Sequence, residues 1–422
     1  MRIRALAAAV GVTLALAAPA AAVTYSGKIT FTGDDPSGVT LNVRGAAATV
    51  ALGPGHVSHA VVAVSRRSGH LRFAVPGRPQ PLVFRLRVKG RRLVGTAHQG
   101  TAKATVSLRR GRTSVDTRLG FFTGPSGPFE MMRTLREGFN KPVAIDLRTG
   151  VFGAPRSGKR LPIRQEEIRF QSGKTTLAGT LTLPDGQGPF PAAVYVSGSG
   201  PTLREEAQFL GGYLVSQGVA LLAYDKRGNG QSHGLYPGSL ASPVAISSYA
   251  DDALAAVRFL AAQPDIDKTR LGLFGLSQGG WIIPLAAARA AEAISWALIQ
   301  GGPTVTQGES DYYGAIAETW TGPLTEAEAL ARASGPSGFD PMPSIRKLAI
   351  PMLWLYGSDD RAEPPDTSVS LLRQLLAEST RDFEIHLYSG APHPLFSQAG
   401  FPSGMFGDVS GWLLAHRLTP GP

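Results

Sequence analysis

Leu271-Gly-Leu-Phe-Gly275-Leu-Ser277-Gln278-Gly279-Gly280, running at once into Trp281-Ile-Ile-Pro-Leu-Ala-Ala-Ala288, is the stretch that decides how this chain folds. A short apolar run reads as a buried strand, the glycines as a sharp turn and the longer apolar run as a helix. Gly275 and Gly279 flank Ser277 two residues before and two after, so strand and helix can approach closely around a strained serine. Ser277 should therefore project its hydroxyl, exposed, from a helix N-terminus, where the Gln278 amide can face a developing oxyanion. Ser277 is a candidate nucleophile.

Outward from this turn, strand-like runs alternate with helical ones over residues 164–422. Strands read at Ala193–Val196, Ala220–Tyr224, Leu271–Phe274, Trp296–Ile299, Pro351–Tyr356 and Phe383–Tyr388, after an opening hairpin of Glu167–Phe170 and Leu177–Leu183. Helices read near 204–216, 248–262, 278–291, 367–378 and 406–416. Near-continuous apolar strands separated by helices predict an α/β fold, a doubly wound and mostly parallel sheet covered on both faces.

Such sheets gather their sites at the carboxyl ends of strands. Two loops fall there. Gly357-Ser358-Asp359-Asp360 follows one strand and Gly390-Ala391-Pro392-His393 another, giving the chain order serine, acid, histidine. Serine is a weak nucleophile until a base takes its proton; His393 is the candidate base, and either Asp359 or Asp360 would fix its tautomer. His386 lies within a strand and His416 on the terminal helix, positions for packing or surface histidines.

From about Leu161 onward, three-fifths of the chain, the sequence resembles bacterial alpha/beta-hydrolases of the branch related to dienelactone hydrolases and prolyl-oligopeptidase-like esterases. The resemblance rests on Ser197-Gly198-Ser199-Gly200-Pro201 with Arg204 and Glu206, on Asp225-Lys226-Arg227-Gly228-Asn229-Gly230-Gln231-Ser232, and on the Ser277, Gly357 and His393 loops. It implies a serine esterase in which Asp360, three residues after the glycine, is the acid, and Asp359 a turn residue. It further implies that the Ser199 amide is the second oxyanion donor beside Gln278, and that no cofactor or metal takes part. Leu203 and the short insertion at 303–349 depart from many relatives. Asp225 and Arg227 read as braces of a tight loop, Asp251 and Asp252 as first-turn acids of a helix beginning near Ser248, and Arg204 as the partner of Glu205 or Glu206.

The first part of the chain is different. Arg2 and Arg4 precede an apolar stretch from Ala5 to Ala18 and the small residues Ala20 and Ala22, a secretory signal cleaved before Val23. Residues 23–120 carry 16 Lys/Arg against 3 Asp/Glu, a balance of +13; residues 164–422 carry 17 against 25, or −8. Opposite fields of this size argue for separate domains. Period-two runs such as Phe84-Arg-Leu-Arg-Val88 predict a small antiparallel sandwich or barrel with its cations on the solvated face. An anionic envelope polymer is the partner such a face could hold; no RNA-binding aromatic signature or zinc pattern supports nucleic acid. His56, His59, His70 and His98 lack the spacing and carboxylates of a metal site. Residues 121–163 read as a linker, and Gly153–Arg160 fails as a phosphate-binding loop because Arg160 replaces its Ser/Thr.

With no cysteine in 422 residues, disulfides, thiolate catalysis and cysteine-bound metals are excluded. The sequence predicts a signal peptide at 1–22, a basic β-rich domain at 23–120, the linker, and a catalytic domain at 164–422. Its expected activity is that of a secreted or periplasmic serine hydrolase of carboxylic esters, short acyl chains favoured, because a short insertion leaves no roof for a long-chain tunnel. An aminopeptidase or amidase with the same triad, a thioesterase, and a non-catalytic envelope-binding protein are the alternatives.

Overall fold

The structure, a computed structural model, describes residues 23–419 apart from 32–36, 45–46, 53–59, 76–80, 112–119, 134–141, 155, 201, 208–209, 238–241, 318, 320–324, 334 and 398–399. The signal segment, His56, His59, Pro201 and the Gly322-Pro323 break of the insertion lie outside the described residues. The chain divides into two units, one of residues 1–50 and 62–113, the other of 51–61 and 114–422.

The first unit, with residues 51–52 and 60–61 of the second, carries β1 (Val23–Phe31), β2 (Ser37–Arg44), β3 (Ala47–Leu52), β4 (Ala60–Ala63), β5 (Ser65–Arg67), β6 (His70–Val75), β7 (Leu82–Lys89), β8 (Arg92–Gln99) and β9 (Ala102–Gly111). They form one nine-stranded sheet in the order β4-β3-β2-β1-β9-β8-β7-β6-β5. Alternation decides its faces. In β7, Leu82, Phe84 and Leu86 are buried while Arg85, Arg87 and Lys89 are exposed. Phe73 stacks on Phe84 across β6 and β7, on the apolar face.

The segment expected to be a linker carries a sheet of its own, β10 (Gly120–Gly124), β11 (Gly127–Arg133), β12 (Pro142–Asp146), β13 (Phe152–Gly153) and β14 (Lys159–Arg160), in the order β13-β12-β11-β10-β14. Its apolar residues explain the difference. Phe129 and Ile145 are fully buried, and Phe121 and Leu147 join the same core cluster as Phe274, Trp296 and Trp412. Burying such side chains stabilises by ~1.5–3 kcal/mol each, enough to make this sheet part of the catalytic unit.

The third sheet contains β15 (Arg164–Ser172), β16 (Thr175–Leu183), β17 (Phe190–Val196), β18 (Ala220–Tyr224), β19 (Ile266–Leu276), β20 (Trp296–Gln300), β21 (Met352–Gly357) and β22 (Phe383–Tyr388), in the order β15-β16-β18-β17-β19-β20-β21-β22. The opening hairpin is antiparallel and the six strands from β17 to β22 are parallel. The expected doubly wound α/β sheet is present, with a core on each face. Val194, Leu222, Leu273 and Trp354 pack under α2 (Pro243–Ala261), α3 (Gly279–Arg289) and α7 (Pro365–Glu378). Tyr195, Leu221, Phe274 and Leu355 pack on the other face under α1 (Leu210–Ser216) and α8 (Met405–Ala415). The insertion folds as α4 (Gln307–Ala317), α5 (Glu326–Leu330) and α6 (Met342–Ile345).

α2 begins earlier than the sequence suggested. Ser242 caps it by accepting from the Ala245 amide and Pro243 occupies its first turn, so Asp251 and Asp252 sit in mid-helix, not at its start. Their role changes with the position: Asp252, fully buried, takes a bidentate pair from Arg227 at 2.6 and 2.7 Å, and Asp251 pairs with Arg289 at 2.9 Å. Among the described residues no helix is long and apolar enough to cross a membrane.

Candidate active site

β19 ends at Leu276, and Ser277 follows in the left-handed region at φ 55° before α3 starts at Gly279. Non-glycine residues rarely adopt that conformation, and it persists here because the surroundings fix it. The Ser277 amide donates to Gln300 O at 2.9 Å and its carbonyl accepts from Gly280 at 2.7 Å. The glycines are required by space: a methyl at Gly275 would lie 2.7 Å from Ile283 and 2.8 Å from Val196 O, and one at Gly280 would lie 2.6 Å from Gly302. Ser277 is only 8% exposed, less than the elbow alone predicts. The loop after β17 crosses close by, since a methyl at Gly198 would touch Ser277 Cβ at 3.5 Å.

The acid loop follows β21 and the histidine loop follows β22. Asp360 Oδ2 lies 2.7 Å from His393 Nδ1, and its other oxygen accepts from the amides of Ala362 and Glu363 at 2.8 and 2.9 Å. Asp360 is 1% exposed. Asp359, next to it, points to the surface and pairs with Arg361 at 3.3 Å. The structure thus brings Asp360 and His393 together and leaves Asp359 outside. The histidine loop is held over the elbow through Gln300: its amide side chain donates to Pro394 O while its carbonyl holds Ser277. At φ 55°, Gly301 leaves room for His393, whose carbonyl a methyl there would meet at 2.8 Å. His386 contacts Glu384 and Asp408, and His416 contacts Trp412 O and Asp382, so both stand apart from this pair.

Arg204 has partners farther along the chain than the sequence suggested: it pairs bidentately with Asp225, at 3.0 and 2.8 Å, and with Glu167 at 2.6 Å. Asp225 also accepts the Gln231 amide at 2.8 Å, which braces the tight loop as read from the sequence. Glu206 turns to the loop after β17, where Oε2 accepts from Tyr195 Oη at 3.0 Å and the Gly198 amide at 3.2 Å.

Three neighbours went unrecognised in the sequence. Lys226 is 3% exposed and donates to Gly198 O at 2.5 Å and to Gln278 Oε1 at 2.8 Å. A lysine immediately after an apolar strand, at its carboxyl end, was the available signal. Burial pushes this ammonium down from its ordinary range, against the opposing charges of Glu206 and Asp252; burial likewise pushes Glu206 up, against Lys226. Glu363 is fully sunk beside the pair, bonded to Ser310 of α4, and burial pushes its carboxyl up to about 8. Tyr313, also on α4, donates to Asp360 O at 2.8 Å. Among the described residues no group of three or more His, Asp or Glu is arranged to hold a metal ion.

The strand order, with an antiparallel hairpin leading six parallel strands and three loops converging at their carboxyl ends, gives residues 164–422 the alpha/beta-hydrolase fold. Within it, residues 205–414 match the model of the prolyl oligopeptidase family. Esterase EstD of Thermotoga maritima is 33% identical over 120 residues, 27% of this chain and 27% of that protein. The chain thus matches about a quarter of the length of that curated relative. Solved structures similar to it include the Pyrococcus furiosus esterase Pf2001 (18% identity, 60% of this chain, 90% of that chain, TM-score 0.45). The dienelactone hydrolase of Anabaena variabilis is a second (16% identity, 60% and 98%, TM-score 0.39).

Proposed function

We propose that the chain is a serine hydrolase of carboxylic esters. The observation that carries this is the Asp360–His393 contact at 2.7 Å, set over a strained serine elbow by the bonds through Gln300. Ser277 Oγ attacks the ester carbonyl while His393 takes its proton. Asp360, held by two backbone amides, keeps the Nδ1 proton in place and stabilises the imidazolium. The amides of Gln278 and Ser199 receive the oxyanion. His393 returns the proton to the departing alcohol, leaving an acyl-serine that water cleaves by the same sequence. The test is fluorophosphonate labelling beside ester turnover: Ser277→Ala should lose both with its fold intact, and unchanged hydrolysis by the folded variant would remove the assignment.

The short α4, α5 and α6 support a preference for short acyl groups. A panel from acetyl to long-chain esters, run beside aminoacyl anilides, checks both chain length and the aminopeptidase alternative. Higher kcat/KM for long chains, or for anilides, would displace this reading.

The signal-like segment at 1–22 supports export, and a mature N-terminus at Val23 on the secreted protein would verify it. The first unit supports retention on an anionic envelope polymer. Arg72 stands directly opposite Arg85, and Lys89, Arg92 and Arg109 form a row across β7, β8 and β9. Like charges set opposite one another are destabilising unless an anion lies over them. Phe73 and Phe84 lie on the other face, so bases would find neither ring to stack on. Binding of the whole protein to anionic envelope fractions should weaken as salt rises, and in Arg72→Gln/Arg85→Gln. Retention by nucleic acid alone, or by nothing at low salt, would overturn it.

A further inference from the structure

A peptide group is rigid, so whatever grips its carbonyl also aims its N–H, on the opposite side. The carbonyl of Gly198 and the amide of Ser199 belong to one such group. Lys226 Nζ lies 2.5 Å from that carbonyl, 2.8 Å from Gln278 Oε1 and 3.5 Å from Gly200 O. It also sits 4.5 Å from the centre of the Tyr249 ring. An ammonium has three protons to direct, and here one close acceptor is the carbonyl of the peptide that carries the Ser199 amide and the other is the side chain of Gln278. The peptide on the other side of Gly198 is fixed as well, its N–H donating to Glu206 Oε2 at 3.2 Å. Glu206 is held in turn by Tyr195 Oη at 3.0 Å.

We infer that Lys226 is the positioning residue of the oxyanion hole, its single ammonium fixing the Gly198–Ser199 peptide against the Gln278 side of the elbow. This rests on the serine-hydrolase reading above. Two effects follow from the geometry. The Ser199 amide cannot swing with the loop, because its peptide is clamped at the carbonyl end. A cation on that carbonyl also draws electron density from the N–H, making it a stronger donor in a site sheltered from water. Both effects grow as charge develops on the substrate oxygen, so they act on the transition state more than on the bound ester.

A purely structural attraction between the buried charges of Lys226 and Glu206 is the competing account, and it predicts loss of stability without selective loss of rate. Lys226→Met keeps the length and apolar stem; Lys226→Met with Glu206→Gln removes both charges, so no carboxylate is left buried alone if the single change fails to fold. In the folded variant kcat should fall by roughly 10- to 100-fold, less than the ~10²–10³ lost with a whole donor, while KM stays within about twofold. Affinity for a trifluoromethyl ketone, whose hydroxyl adduct carries the oxyanion, should fall in parallel with kcat/KM, and Lys226→Arg should recover part of both. Folded variants with unchanged kcat and ketone affinity would overturn the role of Lys226 while leaving labelled Ser277 in place. A wild-type protein that took no fluorophosphonate label would instead remove the hydrolase reading, and this inference with it.

Discussion

Tyr313, on the longest helix of the insertion, donates its hydroxyl to the backbone carbonyl of Asp360 at 2.8 Å. The insertion is therefore more than a partial roof, because it fixes the loop that presents the acid to His393. Ser310 of the same helix bonds Glu363, whose amide in turn holds Asp360 Oδ1. Tyr313→Phe deletes one buried bond and should cost about 1 kcal/mol of stability. A roughly three- to tenfold fall in kcat/KM should accompany it, since small misplacements of an acid–base pair are costly. Thermal melting and steady-state kinetics on the same sample check this, and a variant identical to wild type in both would show that α4 does not position the acid.

The two neighbouring acids should separate by orders of magnitude. Asp360→Asn keeps the shape of the buried side chain but cannot enforce the productive histidine tautomer, a loss of about 10⁴ in kcat in comparable triads. Asp359 meets only solvent and Arg361, so Asp359→Asn removes an exposed pair that contributes ~0–1 kcal/mol, with turnover preserved. A reversed ranking in kcat would mean that the acid loop had been placed one residue out of register.

How much of this was legible beforehand follows from the range of each interaction. Ser277, the Asp359-Asp360 pair and His393 each sit in a short motif at a strand end, and the chain order of the motifs constrains them further, so sequence reading reaches them as candidates, with the family resemblance pointing to Asp360. Lys226 bonds Gln278, 52 residues away, and Glu206 bonds the Gly198 amide; the place of Lys226 at a strand's carboxyl end marks it, but neither neighbourhood records these partners. Arg204 reaches Asp225 and Glu167, 21 and 37 residues off, which its own neighbourhood does not record. The sheet at 120–160 escaped notice because two of its strands, Phe152–Gly153 and Lys159–Arg160, are only two residues long, too short to show a period. Asp252 was misplaced because the α2 cap, Ser242 with Pro243, lies well upstream of Ser248.

The buried carboxyls Glu130 and Glu363 should cost stability as pH rises from mildly acidic to alkaline. Glu130 on β11 is buried against Gly212 of α1, where a methyl would lie 2.2 Å from Oε2, and burial pushes its carboxyl from 4.5 up to about 8. A carboxyl raised on folding is protonated in the native protein but ionised in the unfolded chain between those values. The folded state therefore loses ground as pH rises through this window, and the decline levels off above it. Glu363, also raised to about 8, acts in the same direction. Glu130→Gln cannot ionise and should remove about half of the fall in Tm between pH 6 and 9. An unchanged slope by calorimetry would show that Glu130 is ionised throughout.

The last prediction concerns where the catalytic unit begins. The resemblance to known hydrolases starts near Leu161, which suggests cutting there, yet the core says otherwise. Phe121 and Leu147 belong to the cluster formed by Tyr213, Phe274, Trp296, Phe406 and Trp412, and Glu130 packs on Gly212. A chain starting at residue 161 loses those side chains and uncovers their partners, at ~1.5–3 kcal/mol for each large apolar group, a sizeable share of the 5–15 kcal/mol that holds a typical domain together. A chain starting at 114 keeps the 120–160 sheet together with the whole 114–422 part of its unit. It should melt near the intact protein and turn over a small soluble ester at a similar rate. The 161–422 chain should melt well below it or aggregate. Equal melting temperatures for the two truncations would mean that the five-stranded sheet contributes nothing to the hydrolase core. Inactivity of a well-folded 114–422 chain would mean that the basic unit helps to build the site.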